Sequence, residues 1–131
     1  MLSTIRDDGS PRISPVEPYL LGGELVIGVM PSPKANDLRR DARCAVHSSV
    51  SKLDGSEGEF KIHGRAFPTT EPAIVEAAGT WWSGRPADRC TVFAVEIDEA
   101  TLITWSTAQD RMQTRRWTRD RGTTATTRTY P

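Results

Sequence analysis

One short step in the chain, Ser32-Pro33-Lys34, has the residue types and order to hold an anion. Serine suits the capping position of a helix and proline its first turn. The step therefore predicts a helix start, continued through Ala35-Asn36-Asp37-Leu38-Arg39-Arg40. A helix N-terminus presents unpaired N–H groups and partial positive charge to an anion. Lys34 adds a full charge where a cation is unfavourable for the helix itself, a placement that a bound phosphate would offset. The same spacing also suits an ordinary solvated lysine after a turn, the commoner case for a lone helix start. A second feature is the proline pair in Ser14-Pro15-Val16-Glu17-Pro18. Proline cannot complete a sheet ladder, so the break leaves N–H and C=O groups free to meet a planar polar ligand. Protection of an edge strand against aggregation also explains the pair and, for the prolines taken alone, is the commoner reason.

The remaining reactive side chains carry less. His47 and His63 have no second ligand at metal spacing and read as satisfied or surface histidines, so no metal is expected. Cys44 and Cys90 lie far apart in short apolar runs and read as buried free thiols. No Ser-His-Asp order, glycine-rich phosphate loop or HExxH motif occurs, and no catalytic acid or base is assigned. Arg115-Arg116-Trp117-Thr118-Arg119 lacks the repeated aromatic interleaving of a nucleic-acid surface.

The elements that must position these residues are mostly strands. Leu2 to Ile5 is short and apolar-leaning, and Asp7-Asp8-Gly9-Ser10-Pro11 is a turn with the Asp-Gly hairpin signal. Arg12 to Leu21 alternates in part, Gly22-Gly23 turns, and Glu24 to Met30 reads as a buried strand. These connections are too short for a parallel crossover, so the start is an antiparallel meander. Beyond the first helix, Cys44 to Val50 is a strand and Asp54 to Gly58 a polar loop. Glu59 to Phe67 alternates, with Phe60, Ile62, Gly64 and Ala66 on one face. Glu71 to Gly79 carries a small apolar helical stripe, and Trp81 to Pro86 reads as a loop. Cys90 to Ile97, Thr101 to Thr107 and Met112 to Trp117 complete the strands, and residues 122–131 read as a Thr-rich frayed tail. Short antiparallel strands with two or three small helices predict a mainly β (α+β) fold, a split β-barrel of about six to eight strands.

Length and charge bound the function. The 131 residues suit one domain, 1–131, and 17 basic against 17 acidic side chains argue against a protein that coats nucleic acid or an anionic membrane. No apolar run reaches the roughly 20 residues of a membrane span, and the chain reads as cytoplasmic. Leu, Ile, Val and Phe make only 25 of 131 residues, a small core that association would help. Charge is also uneven: residues 1–99 carry 11 basic and 15 acidic side chains, residues 100–131 carry 6 and 2.

Together the motifs resemble a known family. Leu2 to Arg12, Pro15, Gly23-Glu24-Leu25, Ser32-Pro33-Lys34-Ala35, Leu38 to Arg43 and Gly58 to Ala66 occur in an order similar to the pyridoxamine 5'-phosphate oxidase-like, FMN-binding split-barrel family. The resemblance is strong over Leu2 to Phe67. It continues more loosely through Pro86-Ala87-Asp88-Arg89 and through Trp117 followed by Gly122. It implies a homodimer with cofactor sites at the subunit interface. It implies ring contacts by Thr4, Pro15 and Val16, phosphate contacts by Ser32, Lys34 and Arg39, and a reach from Arg115 and Trp117 to the partner's cofactor. The implied activity is hydride transfer between FMN and a small-molecule substrate. The 8-hydroxy-5-deazaflavin coenzyme is the alternative cofactor, and a non-catalytic flavin or haem carrier is the alternative function. The paired arginines and Trp-Gly substrate-phosphate motif of true pyridoxamine phosphate oxidases have no counterpart here, so that activity is not implied.

Overall fold

The computed structural model describes residues 1–52, 56–81 and 89–129. Nine strands and two short helices follow one another as β1 (Leu2–Ile5), β2 (Pro11–Ser14), β3 (Pro18–Leu21), β4 (Glu24–Val29), α1 (Pro33–Arg40), β5 (Arg43–His47), β6 (Glu59–Pro68), α2 (Pro72–Trp81), β7 (Thr91–Ser106), β8 (Arg111–Thr118) and β9 (Gly122–Thr129). A 3₁₀ turn, Thr107–Gln109, links β7 to β8. All pairings among the described strands are antiparallel, and the main path runs β2-β1-β5-β6-β7-β4-β3. This is the expected split barrel, with nine strands rather than six to eight.

Local chemistry explains the turns. Gly22 and Gly23 take φ of +57° and +89°, the left-handed backbone that a two-residue β3–β4 hairpin requires. Asp8 accepts from the Ser10 N–H at 2.8 Å and closes the β1–β2 turn. The barrel curls around Leu2, Leu25, Ile27, Val29, Val46, Ile62, Ala66, Phe93 and Val95. Ala35 and Leu38 of α1 join that core and close one end of it. On the outer face, α2 lays Ile74 and Ala78 over Val26 and Val92.

Several expectations change. The segment Arg12 to Leu21 is two strands, because Pro15 and Pro18 interrupt the ladder and β2 and β3 go to opposite ends of the path. Cys90 to Ile97 and Thr101 to Thr107 form one strand, the 16-residue β7. Residues 122–129 of the expected tail form β9, paired with β8 from Gly122 to Thr129. Phe60 shares a side with Ile62 in the alternation yet is exposed, because β6 runs past the end of the core there. Cys44 and Cys90 are free but only half-buried. Burial, with Asp98 nearby, pushes the Cys44 thiol up to about 11. Of the expected loop from Trp81 to Pro86, Trp81 instead ends α2, and the rest, with the stretch Pro86-Ala87-Asp88, lies outside the described residues, as do Leu53, Asp54 and Gly55.

The longest strand bends at a bulge. The β6–β7 register shifts between His63 and Gly64, so Asp98 is the extra residue of β7. Gly64 is buried there against the Glu96 carbonyl, and a Cβ would drive into that backbone oxygen. Gly64→Ala is therefore expected to destabilise the fold by roughly 1–3 kcal/mol, seen as a lower urea midpoint with an unchanged slope.

Candidate functional site

The break between β2 and β3 opens a groove of about 490 Å³. Pro15, Val16 and Glu17 line it from the connector, Gly28, Met30 and Pro31 from the end of β4, and Ser32 and Lys34 from the start of α1. Four of the residues singled out in the sequence, Pro15, Val16, Ser32 and Lys34, thus meet in one place. The Lys34 ammonium donates to the Pro15 carbonyl at 3.2 Å, which uses one of its three protons. Val16 packs down onto the core, while Met30 stands exposed and gives the groove an apolar wall. Ser32 occupies the N-cap position with Pro33 after it, as expected. Its hydroxyl makes no cap, however, and donates instead to the Met30 carbonyl at 2.8 Å.

Both walls of this groove hang from one buried carboxylate. Asp37 of α1 accepts from the Thr4 hydroxyl of β1 at 2.9 Å and from Arg12 Nε of β2 at 2.7 Å. Arg40 stands 3.5 Å from its second oxygen. Burial alone would raise the Asp37 carboxyl, but the Arg12 guanidinium and the Thr4 hydroxyl, with the charge of Arg40, hold it below its ordinary value. Asp37 is the residue that sequence reasoning missed. In the run Asn36-Asp37-Leu38-Arg39-Arg40 it looks like one more solvated charge, and its partners lie 25 and 33 positions away.

Other expected contacts are placed elsewhere. Thr4 is buried against Asp37 and does not line the groove. Arg39 donates to the Thr91 hydroxyl at 2.7 Å and ties α1 to the start of β7. Arg115 and Trp117 stand on β8, away from the groove of their own chain. His47 lies 3.5 Å from Glu59, which Lys61 also holds at 2.7 Å, so it belongs to a surface ion-pair group. Among the described residues, no three or more metal-ligating side chains converge.

Solved structures with the same fold are numerous. PhzG from Burkholderia lata 383, in complex with tetrahydrophenazine-1-carboxylic acid, matches with a TM-score of 0.69 and 14% identity, over 98% of this chain and 80% of that one. A protein from Clostridium acetobutylicum, related to general stress protein 26 and assigned to the pyridoxinephosphate oxidase family, matches at 0.59 and 13%, over 83% and 85%. A heme binding protein from Mycobacterium smegmatis matches at 0.59 and 14%, over 98% and 81%. At these identities the likeness is one of fold: the chain is a split β-barrel. No protein-family model and no curated protein matches the sequence.

The Asp37 cluster makes stability pH-dependent with a defined sign. Its folded-state value is lowered, so its contribution is complete above the unfolded carboxylate value of about 3.9 and is lost as pH falls through the folded one. Asp37→Asn is expected to cost about 2 kcal/mol near neutrality. It should also flatten the fall in urea midpoint between neutral pH and pH 3.

Proposed function

We propose that this chain is a flavin-dependent oxidoreductase that binds FMN at a homodimer interface and passes hydride to or from a small molecule. One observation carries the reading: the Lys34 ammonium and the first turn of α1 face an apolar-walled groove next to a proline-broken strand connector. The donor set fits the cofactor. Lys34 and the helix start would hold a phosphate, with two Lys34 protons beyond the one given to Pro15. Pro15, Val16 and Met30 would border the flat ring, and the ladder groups freed beside the prolines would meet its polar edge. A groove near 490 Å³ lies within the usual range of small-molecule sites. When bound, FMN supplies the hydride-transfer chemistry, while the protein orients it and limits water.

Further contacts are proposed for Ser32 and Arg39 at the phosphate side, although the Ser32 hydroxyl and the Arg39 guanidinium must leave their present partners to reach it. Arg115 and Trp117 serve the cofactor of the partner subunit. Three features support the pairing of two chains. Residues 123–129 of β9 are exposed throughout, Phe60 and Trp117 are exposed apolar side chains, and the basic C-terminal quarter is set against an acidic remainder. Among the described residues no helix is long and apolar enough to cross a membrane.

The 8-hydroxy-5-deazaflavin coenzyme would present a similar ring and phosphate to this groove. The Mycobacterium smegmatis relative in fold is a heme binding protein, which favours a non-catalytic carrier as the second reading. An absorption spectrum of the purified protein, before and after addition of FMN, the deazaflavin or haem, separates these readings. A flavin band retained through gel filtration at dimer size is expected, and turnover of the reduced cofactor with an acceptor then selects enzyme over carrier. Lys34→Ala is expected to weaken FMN binding by about 10- to 100-fold while leaving riboflavin binding within a fewfold. Equal losses for the two ligands refute the phosphate role.

A further inference from the structure

A second groove, of about 530 Å³, lies on another part of the barrel. Its origin is topological. β6 covers one edge of β7 from Phe93 to Ile103. The other edge is shared, with β4 over Thr91 to Val95 and β8 over Glu99 to Ser106. Neither reaches Glu96, Ile97 or Asp98, so the sheet is split there. Leu25, Val95 and Ile97 give the gap an apolar lining, and Trp117 flanks it with an exposed indole.

The charges around this split are of two kinds. Arg119 is committed to the protein. Its guanidinium donates to the Ile97 carbonyl at 3.0 Å and lies 3.4 Å from the Asp98 carboxylate. Its N–H donates to the Asp98 carbonyl at 3.1 Å. Glu24 and Glu96, by contrast, take part in the β3–β4 and β6–β7 ladders through their backbones, while their exposed carboxylates make no hydrogen bond or ion pair with any described residue. The groove therefore offers an exposed indole, an apolar lining and two carboxylates with no partner among the described residues, while its cation is already satisfied. An anion would meet two like charges. A neutral apolar ligand would displace water from two carboxylates without replacing it. A cation with a small apolar body answers all three features, because an indole face attracts an ammonium group and carboxylates add to that attraction.

We propose that the split between β4 and β8 is a binding site for a small organic ammonium ion, held by Trp117, Glu24 and Glu96. This site is separate from the Lys34 groove of its own chain; its Trp117 is also the side chain proposed to reach the partner's cofactor, so choline is titrated into flavin-free protein and the outcome does not depend on flavin binding. Choline and its neutral isostere 3,3-dimethylbutan-1-ol have nearly the same shape and differ in charge, so they isolate the cation term. Calorimetric titration of the full chain is expected to show choline binding about tenfold tighter than the alcohol. Trp117→Leu should remove most choline binding. The double variant Glu24→Gln with Glu96→Gln should bring choline down to the level of the alcohol. Both glutamates are exposed, so this variant keeps the measurement open should Trp117→Leu fail to fold. Equal affinity for the two ligands, no choline binding at millimolar concentration, or unchanged binding in the glutamate variant overturns the proposal.

Discussion

The buried carboxylate of Asp37 is the constraint on which the candidate site depends. A charge in the interior is costly unless it is paired and hydrogen-bonded. Asp37 satisfies that condition with groups from three elements: Thr4 of β1, Arg12 of β2 and Arg40 of its own helix. Each partner fixes something the groove needs. The bond to Thr4 seats α1 against the barrel, which sets where Lys34 emerges. The pair with Arg12 holds β2, from which the Pro15–Glu17 connector leaves. One side chain thus relates the two walls of a groove to which it does not itself contribute. Ala35 and Leu38 supply the apolar part of the same docking.

The second organising feature is the length of β7. At 16 residues it exceeds what one neighbour can cover on a barrel of this size, so two strands divide one of its edges. The bulge at Asp98, permitted by Gly64 opposite, bends the strand between those two pairings. Carbonyls left over in the gap need donors, and Arg119 supplies them at Ile97 and Asp98. The barrel therefore has two openings of different origin. One is made by prolines that stop a ladder and the other by strands that end short of each other. The first presents a lysine, and the second presents two exposed glutamates.

Much of the strand order was legible because its signals are local. Gly22-Gly23 and Asp8-Gly9 announce tight turns, Leu25 to Val29 announces a buried strand, and Pro33 announces a helix start. Each of these needs only a few neighbouring residues. The Ser32 and Lys34 cluster was legible for the same reason, and its meeting with Pro15 and Val16 is consistent with the resemblance drawn from motif order. What was not legible also shares a cause. The Thr-rich segment 122–129 reads as a tail because nothing within it buries; it is a strand because β8 pairs with it along its full length. The partner of the Thr4 hydroxyl, Asp37, lies 33 positions away, and no local signal announces it. Trp117 and Arg115 lie on the proposed late strand, yet in their own chain they stand apart from the Lys34 groove.

The sequence by itself determined the mainly β class, the turn positions, the start of α1 and the cation that stands at it. These follow from backbone preferences and side-chain chemistry that act over a few residues. Tertiary structure alone decided that Asp37 would be buried, that β7 would be one strand with a divided edge, and that Glu24, Glu96 and Trp117 would border one gap. Those outcomes depend on which distant segments pair. A side chain's solvation and its partners are set by that pairing, and residues separated by tens of positions carry no local signal of it.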